Sequence, residues 1–242
     1  MDNKYAIKLF NELAVEYSKA LMDEGFLRNC IYTAVDNINS DFTEVYNINK
    51  HNALLTSLKG STILGNIMEN AIFAEMCKNK NFTFTHYNAD AQHKDITCEG
   101  IKCMPNSLKE KLNEAKQYYG NHPSFDDPNI CGLEIKTSKK FTGITANKTA
   151  STNGNVQKDP FSFYLMINYD LNYYDGLPQI ENIQARLCWI DNTADIWGKT
   201  YETSDNISIK YSAAPDIFVG IIDDRKYTKG TKIRLGVHPD FK

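Results

Sequence analysis

Apolar positions along the first part of the chain recur at helical spacing. Phe10, Leu13, Tyr17 and Leu21 do so, and Gly25 comes next as a stop, so residues 4–22 are expected to form an amphipathic helix. Residues 26–37 and 43–58 repeat the pattern less regularly and predict two more helices. Gly60-Ser61 breaks the chain, and Ser61 or Thr62 can cap a new helix. The spacing of Ile63, Ile67, Ala71 and Ala74 predicts that helix over 62–78, with those four on one side. The period then shortens. "NFTFTHYN" (81–88) alternates as a strand does, and "DITCEGIKCM" (95–104), "ICGLEIKTS" (130–138), "FSFYLMINYD" (161–170), "ARLCWI" (185–190) and "DIFVGII" (216–222) predict further strands. A polar helix is expected over 106–120, between the second and third of these, and no internal repeat is present. Helices first and strands afterwards predict an α+β or α/β fold, a central mixed β-sheet flanked by helices. Residues 1–60 form an N-terminal helical extension or subdomain in this reading, and 61–242 form the core.

Composition narrows the function classes. The 242 residues carry a net charge of −3 and 42% apolar residues, enough for a sizeable core and too little positive charge to coat nucleic acid non-specifically. Any nucleic-acid site must be a local patch. None of the six cysteines forms a CxxC pair, which argues against a zinc knuckle. The opening residues MDNKYAIKLF lack the apolar run of a secretory leader, and no stretch of 18 apolar residues exists. The expectation is a cytoplasmic, bacterial protein with reduced thiols and no membrane span.

The chemistry concentrates in "GLEIKTSKK" (132–140). Alternation sends Leu133 and Ile135 to one side of the strand and Glu134 and Lys136 to the other, away from the apolar core. Asp95 opens an earlier strand. If the two strands form a hairpin with the 106–120 helix inserted at its tip, an acid at the start of one lies near an acid on the other. Two such carboxylates suit a hard divalent cation, normally Mg2+, that prefers oxygen ligands, and an adjacent lysine can lower the pKa of a water or stabilise charge on a phosphate oxygen. On the preceding helix, "GNIME" sets Gly65 and Glu69 four apart. Gly65 allows a close approach to the sheet, and Glu69 can then reach the metal.

These pieces together resemble the PD-(D/E)xK nucleases, the fold of most type II restriction endonucleases: Gly65 and Glu69 on a first helix, "KDI" with Asp95, and "LEIK" with Glu134 and Lys136. The resemblance covers roughly residues 62–140. It implies a restriction-endonuclease-like core, Mg2+ bound by Asp95, Glu134 and Glu69, and Lys136 assisting the attacking water. Two departures stand out: Lys94 occupies the place of the family's frequent proline, and 38 residues separate Asp95 from Glu134. Asp127 is the alternative first ligand, because "DPNICGLEIKT" also looks like the metal-site segment of mismatch-repair nicking endonucleases. Asp126-Asp127-Pro128 reads first as a turn.

Immediately after this strand, residues 139–158 hold four lysines, two glycines and no acid. Read as a basic loop, they offer Lys139, Lys140, Lys148 and Lys158 to phosphates and Asn147, Asn153 and Asn155 to base edges of double-stranded DNA. The reading is a Mg2+-dependent type II site-specific deoxyribonuclease. A homodimer is expected, since cutting both strands of a symmetric site needs two active sites, and the N-terminal helices can supply its interface. The alternatives are a nicking or repair endonuclease of the same fold, and a catalytically inactive DNA-binding protein whose ExK is a surface pair.

Overall fold

A computed structural model describes residues 12, 13, 16, 24–58, 63–82, 96–97, 102, 105–118, 132–139, 143–147, 162–189, 206–210 and 218–224. In chain order the elements are α1 (Glu24–Ile48), α2 (Ala53–Ser57), α3 (Ile63–Cys77), β1 (Ile96–Thr97), α4 (Asn106–Tyr118), β2 (Gly132–Ser138), β3 (Gly143–Asn147), β4 (Ser162–Tyr174), β5 (Leu177–Trp189), β6 (Asn206–Lys210) and β7 (Phe218–Asp224). The fold is α+β, an open mixed sheet with helices against it. Five strands lie in the order β1-β2-β4-β5-β7, and β3 pairs with β6 in a separate two-stranded ribbon. β2 and β4 run parallel, while β1/β2, β4/β5 and β5/β7 are antiparallel.

Of the expected helix over 4–22, residues 12, 13 and 16 are described; they are helical, and Leu13 is buried. The two helices expected over 26–37 and 43–58 are instead one long helix, α1, and one short one, α2. The reason is phase. Leu27, Ile31, Ala34, Val35, Ile38, Phe42 and Tyr46 bury one continuous stripe, and neither Gly nor Pro interrupts it before residue 48. The break falls at Asn52, whose side chain caps α2 by accepting from the Leu54 amide at 2.9 Å.

α3 lies where expected, but the face is different. Leu64, Met68, Ile72, Phe73 and Met76 are buried; Ile67 and Ala71 flank them, Ile63 is 46% exposed and Ala74 faces solvent. Both stripes obey helical spacing, and the larger side chains remove more apolar surface from water. Side chains of α1, α2 and α3 share one core with Leu133, Ile135, Phe163, Leu165, Ile167, Ala185 and Leu187 of the sheet. Phe82, at the start of the expected strand 81–88, stacks on Phe26 with ring centroids 5.3 Å apart; the rest of that strand lies outside the described residues.

β4 and β5 form a hairpin closed by Asp175-Gly176, both at positive φ, as a two-residue turn of this hand requires. The strands expected over 161–170 and 185–190 are therefore longer, reaching 174 and starting at 177. Asn182, also at positive φ, marks a bulge where the pairing register shifts. Tyr46 of α1 donates to the Asp175 carbonyl at 2.8 Å and holds the turn down. Part of the segment expected to be a basic loop is a strand: β3 pairs with β6, about sixty residues later, a partnership that local pattern does not carry.

Candidate functional site

Register across the sheet decides which side chains share a face. Leu133, Ile135, Phe163, Leu165, Ile167, Ala185 and Leu187 alternate onto the apolar side, beneath α1 and α3. The residues between them form three rows on the opposite side: Glu134 beside Tyr164, Lys136 beside Met166 and Arg186, and Ser138 beside Asn168 and Gln184. This side is polar yet buried. Glu134, Asn168 and Arg186 are 5%, 3% and 6% exposed. Buried polar groups cost free energy unless partnered, so a sheet face that concentrates them marks a candidate site.

Glu134 and Lys136, expected two apart on one strand face, form an ion pair through Glu134 Oε1. Their side chains do point away from the apolar core, but they are not a solvated surface pair: their side-chain exposures are 6% and 17%. The second carboxylate oxygen, Glu134 Oε2, is buried and has no hydrogen-bond partner among the described residues. A carboxylate oxygen in that state carries charge that a cation would offset.

Glu69 reaches the same strand from α3. Its Oε1 accepts from the Thr137 amide at 2.9 Å and from the Thr137 hydroxyl at 3.3 Å. Gly65, one turn earlier, makes this approach possible: a Cβ there would stand 3.1 Å from Thr137 Oγ1. Burial pushes the Glu69 carboxyl above the ordinary carboxylate range. Lys136 and the Thr137 amide pull it back, and Glu134 pushes it up again. The charge on Glu69 in turn adds to burial in raising the phenol of Tyr169, a buried residue of β4.

Asp95 and Asp127 lie outside the described residues, as do Lys94, Lys140, Lys148, Asn153, Asn155 and Lys158. β1 nevertheless pairs antiparallel with β2, with α4 inserted between them in the chain, the hairpin arrangement expected from the sequence. Ile96 pairs with Leu133 and Thr97 with Gly132. Asn147 ends β3, across from Asn206. Lys139, expected on a phosphate, has its ammonium 2.7 Å from the Leu58 carbonyl, at the C-terminal end of α2, and burial lowers its pKa. Among the described residues, no group of three or more His, Cys, Asp or Glu is placed to hold a metal ion.

Three residues near the site were not read from the sequence. Arg186 had a usable signal, a single charge inside the apolar run "ARLCW". Asn168 interrupts "FYLMIN" in the same way and donates to the Ser138 carbonyl at 3.4 Å. Thr137 had none, because only the arrival of α3 gives it a role.

Compared with family models, curated proteins and solved structures, the chain matches none.

Proposed function

We propose that this chain is a Mg2+-dependent endonuclease that hydrolyses phosphodiester bonds of double-stranded DNA at a specific short sequence. It does so on a restriction-endonuclease-like core, as a homodimer. The observation that carries the reading is Glu134: a buried carboxylate with one oxygen paired to Lys136 and the other, Oε2, lacking a hydrogen-bond partner among the described residues. An acid and a base side by side are common on surfaces; a buried acid with an oxygen left over fits a cation ligand.

Asp95 is the second ligand in this proposal. Ile96, the next residue in sequence, pairs with Leu133, which precedes Glu134. That nearness in sequence to a residue paired beside Glu134 is what supports Asp95 as its partner on a cation. Mg2+ bound there would polarise the phosphate and activate a water. Lys136 adds a donor and a positive charge beside the phosphate, whose own charge the two carboxylates would otherwise repel. Arg186, in the same row as Lys136 and two strands over, raises the positive charge of that side of the sheet.

The test is incubation of phage DNA and supercoiled plasmid with the protein and Mg2+. Discrete fragments support a site-specific double-strand nuclease. Nicked circles alone point to a nicking enzyme of the same fold. DNA left intact by the wild-type protein across a range of metals overturns the proposal.

A further inference from the structure

β2 is the strand that carries Glu134 and Lys136, and its two edges differ. On one side it pairs with β4 along its whole length; on the other, β1 covers Gly132 and Leu133 among the described residues. Thr137 lies four positions beyond that cover. Its amide belongs to the peptide plane that joins it to Lys136, so whatever holds the amide also fixes the backbone from which Lys136 projects. A backbone donor at a partly buried strand edge needs an acceptor. The acceptor is Glu69 Oε1, which also takes the Thr137 hydroxyl. α3 approaches closely enough because Gly65 has no Cβ to meet that hydroxyl.

Resting on the nuclease reading above, we propose that Glu69 is a positioning residue: it clamps the Lys136–Thr137 peptide plane at the edge of β2 and is not a metal ligand. Both contacts use the same oxygen, and a neutral amide oxygen can accept them as well. An amide oxygen can also ligate a hard divalent cation, but without the negative charge it holds the ion more weakly than a carboxylate does. The two roles therefore separate in Glu69→Gln, which keeps the acceptor and removes the charge.

The experiment compares wild type, E69Q, E69A and E134Q in three measurements. The first is amide hydrogen exchange at Thr137 in the metal-free protein. Protection is expected to persist in E69Q and to fall about tenfold or more in E69A. Ca2+ binding by calorimetry comes second: E69Q stays within about threefold of wild type, and E134Q loses about tenfold to a hundredfold. The third is Mg2+-dependent cleavage, where E69A lowers kcat about tenfold to a hundredfold with KM little changed, and E69Q restores most of it. A fall in Ca2+ affinity in E69Q as large as that in E134Q overturns the proposal. So does unchanged Thr137 exchange in E69A. Should the wild-type protein neither bind Ca2+ nor cut DNA, the nuclease reading fails. Thr137 exchange then still separates a clamp, lost in E69A and kept in E69Q, from no clamp.

Discussion

Glu134 and Lys136 show what a two-residue motif means once its surroundings are known. The alternation of "LEIK" already put them on one side of a strand. Their burial, and the lack of a partner for Glu134 Oε2 among the described residues, are properties of the folded chain that the motif does not carry. This makes the pair energetically asymmetric. Lys136→Ala would strand a buried carboxylate and should cost about 2–3 kcal/mol in urea unfolding, near the lower end expected for a broken buried pair. In a Glu134→Gln background the same change should cost less than about 1 kcal/mol, and a double-mutant cycle measures the difference. Cleavage should be lost in both single variants. Cys30 gives a second residue-scale expectation. Burial first, then the charge of Glu75, pushes its thiol from 9.0 up to about 11. The folded state thus holds this proton more tightly than the unfolded chain. The stabilisation is fully present below about pH 9 and is lost as pH rises through about 11. Stability of wild type relative to Cys30→Ala should therefore decline over that window in alkaline denaturation curves.

Elements in this fold are joined to the sheet by polar side chains as well as by apolar packing. Asn39, in the middle of α1, both donates to the Ile180 carbonyl at 3.1 Å and accepts from the Ile180 amide at 2.9 Å. Ile180 lies beyond Gln184, the last β5 position paired with β7, so the asparagine serves the edge of β5 opposite β4 where no described strand does. Glu69 of α3 does the same for β2. Asn39→Leu removes two hydrogen bonds and leaves two backbone groups unpaired, a cost of about 2–4 kcal/mol in chemical denaturation. Gly65→Val would place a branched side chain against Thr137. It should destabilise by about 1–3 kcal/mol and loosen Thr137 amide protection, which hydrogen exchange would register.

At the scale of the whole molecule, the proposed function turns on charge. If the site takes DNA as proposed, the Glu134 carboxylate would repel the phosphates until a divalent ion is present, so specific DNA affinity should rise when Ca2+ is added and fall steeply with salt. Lys139 is not expected to contribute to that salt dependence, because its ammonium is engaged by Leu58. Lys139→Ala should lower the melting temperature and leave the salt slope as it is. Replacing Lys140, Lys148 and Lys158 together should flatten the slope, by about three units if each releases a phosphate counterion. Gel-shift titrations in Ca2+ at several salt concentrations read both outcomes. Among the described residues no helix is long and apolar enough to cross a membrane.

The sequence by itself determined the order and type of most elements. It also determined the extents of α3, α4 and β2 to within a few residues, because hydrophobic period and capping residues are local properties. It set Glu134 and Lys136 on one strand face, and Gly65 and Glu69 one helical turn apart. The Asp175-Gly176 turn is a local signal too, although the strands expected from alternation alone stop short of it. Other features had no local signal. Two stripes of α3 fit the same period, and only packing against the sheet chose Leu64, Met68, Ile72 and Met76 over Ile63 and Ala74. The pairing of β3 with β6 depends on a partner about sixty residues away. Thr137 acquires its role from a helix about seventy residues earlier. Burial of Glu134 is likewise a property of the assembled sheet. A side chain's period is written in its neighbours along the chain; its solvent exposure and its partners are fixed only when distant segments pack against it.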